Sequence, residues 1–412
     1  MTQVTMIGCD LHDRSMLLQT AVGKQKPEQK SFRNDFLGRK AMMGYLFKGA
    51  RESGSGRIVF VYEASSQGYG LYDLLTAQGI ECFVLSPTHI PRSAKSKRQK
   101  TDPKDALKLL ELARGHVLAG NELPVVWTPP RLLRHDRELL RGRLEAAETC
   151  TRVKLQIFAM LKRHGIELPQ WFSKSRSWTK HFVAWLKEEA ERMAATVRPV
   201  LSCLIERFET LRRQVVALER HIRHLSKTPR YQVPCEELRE LTGVGLITAM
   251  TFLTEMGDLA RFSNRRQVAA YLGVCPASFE SGEADDRKGH ITRQGPGRVR
   301  KVLCQAAWAA IRTDPRTRVT WERIKRGSSR RSKKAVVAIM RRLGIRMWHV
   351  ALSAGVDTKL KQPPTPPPRW TSARAQQKGP PLSPPHRPGP RPGGEGRGDG
   401  EAKGARATHL ED

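Results

Sequence analysis

The sequence lacks the features that mark secreted, zinc-ribbon and membrane proteins. Its seven cysteines are odd in number and include no Cys-x-x-Cys pair, so neither a disulfide framework nor a zinc ribbon is indicated. It contains no uncharged apolar stretch of about 18 residues, so the pattern of a membrane-spanning helix is absent. The first residues do not combine a basic segment with a long apolar run, and we therefore expect no signal peptide and a cytoplasmic location.

Acidic residues are scarce relative to basic ones. The 412 residues include 73 Lys and Arg but only 40 Asp and Glu, which gives a formal net charge of +33. A charge of this size favours a polyanionic partner, and nucleic acid is the usual one because its phosphates release counterions when they bind basic side chains. A basic ribosomal or surface-charged protein is the alternative. The basic residues are spread along the whole chain, which argues against a single membrane-surface helix.

The chain is too long for one ordinary hydrophobic core, and its patterns change along its length. Residues 1–120 alternate short apolar runs with segments of helical spacing. Hairpin strands followed by strands that alternate with helices predict a mixed α/β sheet covered by helices, an order that a ribonuclease-H-like fold has. The predicted strands are Val4–Cys9, Ser15–Val22, Arg57–Tyr62 and Glu81–Leu85, and the predicted helices are Leu37–Arg51, Gly70–Gln78 and Pro103–Arg114.

Residues 121–234 form the second predicted unit. Apolar residues recur at three- and four-residue spacing over Glu138–Lys162 and Trp178–Leu225, which predicts long helices in a helical hairpin or coiled-coil arm. Three tryptophans spaced by seven are interpreted as one helix stripe in the core or the seam: Trp171, Trp178 and Trp185.

Residues 235–355 predict a mostly helical third unit, and residues 356–412 a disordered tail. A loop rich in glycine, serine and charge covers Pro276–Gly297, and helical spacing returns over Val299–Arg312 and Lys334–Ala354. The tail is rich in proline, glycine and arginine and has no periodicity. It cannot bury enough apolar surface to offset the entropy lost on ordering.

Four acidic residues of the first unit are expected to converge. Asp10 and Glu63 each end a predicted strand, and Asp102 and Asp105 lie three residues apart on one face at a helix start. Four neighbouring carboxylates need cations to stay ionised, and Mg²⁺ prefers oxygen ligands, so the group predicts a magnesium site suited to phosphoryl transfer. Helix capping explains Asp102 and Asp105 equally well from spacing alone. The histidines have no ligand spacing and are interpreted as structural or phosphate-facing.

Two further features indicate contact with nucleic acid. The basic run of residues 91–100 is typical of a phosphate-binding rim beside the acids, with a solubilising loop as the alternative. Its candidate phosphate or RNA contacts are Lys95, Lys97, Arg98 and Lys100. Gly243 and Gly245 occupy a turn that looks like a helix-hairpin-helix, in which glycines allow close approach to a DNA phosphate. Turns of this kind also join helices for packing reasons alone.

The sequence resembles a known family in two blocks. The segments IGCDLHDRS, VYEASSQGYGLYDLL and KRQKTDPKDALKLLELA are similar, in order and spacing, to the N-terminal domain of the DEDD-type insertion-sequence transposases, the bridge-RNA-guided serine recombinases with a RuvC-like domain. The resemblance implies that the family's acidic tetrad falls on Asp10, Glu63, Asp102 and Asp105. It also implies a ribonuclease-H-like fold, a Mg²⁺ site, and recognition of a guide RNA together with its DNA targets.

The second block lies in the third unit. Residues 262–282 and the segment HITRQGPGRVRKVLCQAAW resemble the C-terminal serine transposase domain of the same family. The resemblance implies a serine nucleophile that attacks a DNA phosphodiester; Ser281 fits best, and Ser278 is the alternative. Glu280 precedes Ser281, where family members often carry a second serine or a tyrosine. The basic residues that could bind DNA or neutralise its phosphate are Arg287, Lys288, Arg293, Arg298 and Arg300.

Together these features predict a transposase, or DNA recombinase, of an insertion sequence in the prokaryotic nucleoid. Its predicted partners are donor and target DNA and a guide RNA. It is expected to act as a homodimer or tetramer in which acids and serine can come from different subunits. The alternatives are a RuvC-like metal-dependent nuclease without serine chemistry and a domesticated nucleic-acid-binding protein without catalysis.

Overall fold

The structure is a computed structural model that describes residues 3–90, 101–173, 178–279 and 287–355. The first part of the protein forms a mixed sheet. The elements are β1 (Val4–Leu11), β2 (Ser15–Val22), β3 (Glu28–Arg33), α1 (Phe36–Glu52), β4 (Arg57–Glu63), α2 (Gly70–Ala77), β5 (Glu81–Leu85) and α3 (Asp102–Ala119). The strand order is β3-β2-β1-β4-β5. β1 is antiparallel to β2 and parallel to β4, and β5 extends the parallel side. The predicted mixed α/β sheet is confirmed.

One strand of this sheet, β3, has no counterpart in the sequence prediction. Its residues, EQKSFR, are almost all exposed, and it pairs with β2 alone. An edge strand with polar side chains on both faces carries no apolar alternation, and its charges discourage pairing with another chain. The strand is therefore determined by backbone pairing and not by a hydrophobic pattern.

Three helices form the middle of the chain: α4 (Arg131–Arg163), α5 (Lys180–Arg192) and α6 (Arg198–Ser226). The expectation of one helix over Trp178–Leu225 is wrong, because the helix breaks after Arg192 and resumes only at Arg198. Met193 has an extended backbone, and Pro199 lies in the first turn of α6, where its missing N–H costs no helical hydrogen bond. Pro199 marks the break between α5 and α6 in the sequence, although the apolar spacing continues through it.

The three tryptophans do not share one helix stripe. Trp171 precedes α5, Trp178 has a left-handed backbone (φ 66°), and only Trp185 is helical. All three rings instead contact Phe182, at centroid distances of 6.4, 5.3 and 5.4 Å. Their spacing of seven reflects an aromatic cluster built from a turn and a helix.

The last described part is mostly helical. Its elements are α7 (Gln232–Arg239), α8 (Leu246–Met256), α9 (Arg265–Tyr271), β6 (Pro276–Phe279), β7 (Arg287–Ile291), α10 (Gly297–Thr313), α11 (Pro315–Lys325) and α12 (Ser332–Ser353). The segment Pro276–Gly297 was expected to be a loop, but β6 and β7 pair within it as an antiparallel hairpin. Neither strand has an apolar alternation long enough to predict it. None of the helices in the described ranges is long and apolar enough to cross a membrane.

A polar contact joins α4 to α8. The buried Arg137 donates to the carbonyl oxygens of Thr254 and Glu255 at 2.7 and 2.9 Å. The Arg141 guanidinium holds both oxygens of the Glu255 carboxylate, at 2.8 and 3.0 Å. Charge-assisted bidentate bonds of this kind fix orientation as well as distance. They lock the long helix α4 to the helical part that follows it.

Candidate active site

Strand alternation decides which side chains of β1 face α3. Met6 packs into the core beneath α3, whereas Ile7 and Cys9 pack into the core on the opposite face of the sheet. Successive side chains of a strand alternate between faces, so Gly8 and Asp10 lie on the α3 face. Asp10 is thus carried to the carboxyl end of β1 on the side where α3 packs.

The neighbouring strand β4 has the same alternation. Val59 and Val61 belong to the core beneath α3, and Glu63 follows on that face. The parallel register places Gly8 opposite Val61. One further alternation along both strands brings Asp10 and Glu63 to adjacent positions. Asp10 and Glu63 therefore lie side by side at the carboxyl ends of β1 and β4, on the same face of the sheet.

A glycine allows α3 to lie directly on β1. A Cβ added at Gly8 would stand 2.2 Å from both the carbonyl oxygen of Ala106 and the backbone nitrogen of Leu110. Both atoms belong to the α3 backbone, which cannot rotate away as a side chain can. The absence of a side chain at Gly8 thus brings the start of α3 close to Asp10.

The start of α3 decides between the two interpretations of its acids. Thr101 occupies the N-cap position, and its carbonyl oxygen accepts from the N–H groups of Lys104 and Asp105 at 3.0 and 3.1 Å. Asp102 is therefore the first helical residue and not the cap. The capping interpretation does not hold for Asp102, although an acid in the first turn still interacts favourably with the helix dipole.

His12 joins Asp10 to Asp102. Its Nε2 lies 3.1 Å from the Oδ2 of Asp10 and 3.4 Å from the Oδ1 of Asp102. One ligand atom from each of these three residues lies within 4.8 Å of the others. The histidines have no ligand spacing in the sequence, yet His12 lies within ligand distance of the same point as Asp10 and Asp102. The signal was the spacing Asp10-x-His12, which puts both residues on one face of an extended chain.

Burial dominates the electrostatics of Asp10. The side chain is 14% exposed, against 55% for Asp102. Burial raises the pKa of the Asp10 carboxyl, His12 partly offsets the rise, and the negative charges of Asp102 and Asp105 add to it. A divalent cation would favour the ionised form of the same carboxyl. The donor set, chiefly carboxylate oxygens with one imidazole nitrogen, fits such a cation.

A hydrogen-bond network supports the turn that carries His12. The Asn34 side-chain amide donates to the carbonyl oxygen of His12 at 2.7 Å and to the Gln67 side chain at 3.0 Å. Arg39 donates through Nε to the Asn34 side-chain oxygen at 2.9 Å, and Gln67 also donates to Asp13. The network ties the β1–β2 turn to the loop after β4 and to α1, so three separate segments fix the position of His12.

The predicted nucleophile Ser281 lies outside the described residues, as do Glu280 and the basic contacts Lys95, Lys97, Arg98 and Lys100. The strands that precede and follow Ser281 are described. Ser278, the alternative nucleophile, lies in β6 opposite Lys288 of β7, and Phe279 lies opposite Arg287. Two predicted DNA contacts, Arg287 and Lys288, are thus on the strand paired with the Ser278 segment.

Two glycines fix the base of the β6–β7 hairpin. Gly273 and Gly295 have φ values of +64° and +83°, which few other residues adopt. A Cβ at Gly273 would stand 2.1 Å from the carbonyl oxygen of Gln294, and one at Gly295 would stand 1.8 Å from that of Tyr271. The segment before β6 and the segment after β7 therefore pack backbone to backbone.

Two parts of the chain match family models of known proteins. Residues 7–166 match a family model for DEDD-type transposases of the IS110 group, and residues 235–322 match the transposase IS116/IS110/IS902 family. The y4qE protein of Sinorhizobium fredii, named a transposase, is 34% identical over 73% of this chain and 77% of its own length. The chain belongs to the DEDD-type insertion-sequence transposases.

Transposases of named insertion elements are also similar to this chain. The transposase for insertion sequence element IS1533 of Leptospira borgpetersenii is 28% identical over 60% of this chain and 69% of its own length. The transposase for IS1111A of Coxiella burnetii is 23% identical over 61% of this chain and 65% of its own length. The protein is accordingly a transposase enzyme whose substrate is DNA.

The predicted DNA-binding arginines of this transposase differ in their contacts. Arg300 donates through Nη1 to the carbonyl oxygens of Leu272, Gln294 and Gly295 at 3.2, 3.2 and 3.0 Å. Burial and the neighbouring Arg293 lower the pKa of Arg300. Its guanidinium thus supports the base of the hairpin, whereas Arg293 and Arg298 are exposed.

The two glycines of the predicted helix-hairpin-helix turn also differ. Gly243 has φ +88°, and a Cβ there would stand 2.3 Å from the carbonyl oxygen of Ala306 in α10. Packing against α10 is sufficient to explain it. Gly245 precedes the first residue of α8, and a Cβ there would meet nothing within 4 Å. Of the two, Gly245 is open to a ligand.

Proposed function

We propose that this transposase moves its insertion sequence by serine recombination, with Ser281 as nucleophile and an acidic metal site as the second half of the active centre. The observation that carries the proposal is the convergence of Asp10 and Asp102 at His12, beside the strand end that bears Glu63. Capping does not account for Asp102, and solvation does not account for the burial of Asp10. A phosphoryl-transfer site accounts for both.

The acids have the task of holding positive charge at the scissile phosphate. Asp10, Glu63, Asp102 and Asp105 would bind a divalent metal ion, Mg²⁺ being consistent with the family, and His12 lies close enough to join them or to orient Asp10 and Asp102. The ion would supply charge that stabilises the pentacovalent phosphate. The fixed backbone positions of Asp10 and Asp102 reduce the reorganisation needed when substrate binds.

The proposed covalent step uses the Ser281 hydroxyl. Its oxygen forms a bond to phosphorus, its proton passes to a nearby base, and the bond from phosphorus to the sugar oxygen of the DNA breaks. The displaced sugar oxygen takes up a proton and leaves as a hydroxyl. Attack by the hydroxyl of another strand reverses the step and releases the serine. Exposed Arg293 and Arg298 are proposed to bind the DNA backbone together with Arg287 and Lys288.

The chain is proposed to divide its work among four segments. Residues 1–120 form the RuvC-like metal domain, residues 121–234 a coiled-coil arm for oligomer contacts, residues 235–355 the serine domain, and residues 356–412 a tail. The antiparallel packing of α4 on α6, with an ion pair between Arg143 and Glu219, supports the arm. A guide RNA that pairs with donor and target DNA is proposed to bind basic residues of the chain, including the run 91–100.

Trapping of a covalent adduct tests the serine chemistry. The wild-type transposase with Mg²⁺ and its element DNA is expected to form a protein–DNA adduct that resists denaturation. Ser281→Ala is expected to abolish the adduct and to lower strand exchange at least about a thousandfold while DNA binding persists. Ser278→Ala is the matched control. Loss of the adduct in Ser278→Ala alone would move the nucleophile, and DNA cleavage without any adduct would indicate a metal-dependent nuclease.

Mixing two inactive variants tests whether the site is shared between subunits. In a dimer of Asp10→Asn with Ser281→Ala, a shared site pairs one intact set of acids with one intact serine and restores part of the strand exchange. A site built within one subunit has one damaged half in every copy and stays inactive. Recovery therefore supports a composite site, and its absence with dimers demonstrably formed contradicts it.

A further inference from the structure

A basic cavity is lined by none of the four acids and by no residue of β6 or β7. It measures about 390 Å³ and is bounded by the turn after α7, the start of α11 and the middle of α12. Three arginines line it: Arg316 from α11, and Arg342 and Arg346 from α12. Hydroxyl groups of Thr242 and Thr320 also line it. Guanidinium forks and hydroxyls together are the usual donors to phosphate oxygens.

Among the described residues the three arginines form no ion pair, although the charge of Arg316 helps to lower the pKa of the neighbouring Asp314 carboxyl. Within the described parts of the chain, none of their side chains makes an ion pair or a hydrogen bond. Arg342 and Arg346 are four residues apart on one face of α12, where like charges repel. Asp314 is the acid of the cavity, but its carboxylate already accepts from the backbone N–H groups of Arg316 and Thr317 as the cap of α11.

A second arginine cavity of the protein provides the contrast. It measures about 420 Å³ and is lined by Arg134, Arg137 and Arg141. There Arg134 is held by Asp73 at 2.6 Å, and Arg137 and Arg141 are bonded to Glu255. Those three arginines are bonded within the protein and stabilise its fold. The arginines of the first cavity are exposed and form no ion pair with any described residue, which favours an anionic ligand.

The surrounding sequence extends the positive field. Between residues 314 and 346 there are twelve basic and two acidic residues, and the second acid, Glu322, pairs with Lys325 at 3.6 Å. The turn that bears Thr242 is rigid, because the next residue, Gly243, packs on the backbone of α10. A rigid rim, free arginines and a local positive field together fit the backbone of a nucleic acid.

We propose that this cavity binds a phosphodiester of nucleic acid through Arg316, Arg342 and Arg346, with Thr242 and Thr320 as hydroxyl donors. The site positions the strand and does not react with it. Its lining shares no residue with the acids or with β6 and β7, so variants of the cavity test it without altering the residues proposed for the serine chemistry.

The salt dependence of binding tests the cavity. The full-length double variant Arg342→Gln/Arg346→Gln is compared with Arg318→Gln/Arg323→Gln, which removes the same charge from exposed positions of α11 outside the cavity. Affinities for a mixed-sequence duplex DNA and a duplex RNA of equal length are measured without Mg²⁺ over a range of salt. Loss of one phosphate contact is expected to reduce the slope of log K against log salt by about one unit in the cavity variant.

Each outcome decides the proposal. A reduced slope in the cavity variant alone supports the site, and the nucleic acid for which it falls identifies the source of the phosphodiester. An equal reduction in both variants would mean a general charge effect and would overturn the proposal, as would an unchanged slope in both. All four replaced side chains are exposed, and thermal unfolding of both variants at the wild-type temperature confirms that the fold is retained.

Discussion

The two proposed halves of the active centre are supported in different ways. The acidic half stands on a five-stranded sheet, where register and alternation place Asp10 and Glu63 together and α3 brings Asp102 to them. The serine segment connects two short strands, β6 and β7, whose base is held by the close backbone packing of Gly273 and Gly295. A metal site needs several fixed ligands, whereas a nucleophile needs one side chain that reaches its target. The sheet suits the first and a supported hairpin the second.

Among substitutions in the parts that support the two halves, the largest effect is expected from Gly8→Ala, which would break the acidic half. The new methyl group meets backbone atoms of α3 at 2.2 Å, so the helix must move away from β1. We expect a loss of about 1 to 3 kcal/mol in the free energy of unfolding. A shift of Asp102 of about 1 Å would lower strand exchange on the order of a hundredfold.

The matched control for Gly8 is Gly44→Ala, within α1. A Cβ there meets nothing within 4 Å, and alanine is the better helix former, so stability should rise by about 0.5 to 1 kcal/mol with activity retained. Calorimetric titration with Mn²⁺ reports on the metal site directly. Unchanged metal affinity and strand exchange in Gly8→Ala would contradict the role given to α3.

A smaller and more local effect is expected from Gly295→Ala, which would break the hairpin base. The left-handed backbone costs alanine about 1 to 2 kcal/mol, and the carbonyl oxygen of Tyr271 blocks the methyl group. Strand exchange should fall, while Mn²⁺ affinity at the acids stays at the wild-type value. Gly297→Ala, whose Cβ has only an ordinary 3.5 Å contact, is the control. A loss of metal affinity in Gly295→Ala would mean that the two halves are not independently supported.

Asp10→Asn is expected to have the smallest effect of these substitutions on the free energy of unfolding. Burial raises the pKa of Asp10 above its ordinary 3.8, so the folded protein holds this proton more tightly than the unfolded chain. The stability contributed by the protonated carboxyl is present below 3.8 and is lost as pH rises through the folded pKa. Without metal at neutral pH, the variant should therefore be slightly more stable than wild type, by less than about 1 kcal/mol in the free energy of unfolding after solvent screening.

Added Mg²⁺ should reverse this order. The ion binds the folded wild type and stabilises it by mass action, whereas the variant lacks one carboxylate ligand. Thermal unfolding at neutral pH, with and without Mg²⁺, measures both effects. A variant that is less stable than wild type without metal would contradict the burial cost assigned to Asp10.

Much of the acidic half could be predicted from the sequence because strands with buried faces carry strong patterns. The runs that became β1 and β4 are apolar and end at Asp10 and Glu63, and the acids of α3 lie on either side of Pro103, which marks the helix start. His12 was missed because no ligand spacing links it to the other histidines. Its contact with Asp102 depends on the packing of α3, which lies 90 residues further along the chain.

Less of the helical parts could be predicted. Apolar spacing continued through the break between α5 and α6, and only Pro199 marked it. The strands β6 and β7 are short and the edge strand β3 is almost entirely polar, so their backbone pairing left no apolar alternation in the sequence. Gly243 could be interpreted as a DNA contact or as a packing residue, and the contact with Ala306 was needed to choose packing.

The sequence by itself determined the chemistry this transposase can perform: a strongly basic chain, four acids at element ends, and motifs similar to a known family. These properties are local, because they depend on residue type and short spacing. The tertiary structure decided which groups meet: His12 with two acids, Gly8 beneath α3, and three arginines around one cavity. Such contacts join segments far apart in the chain, and only the packing of helices on the sheet and on one another brings them within a few ångströms.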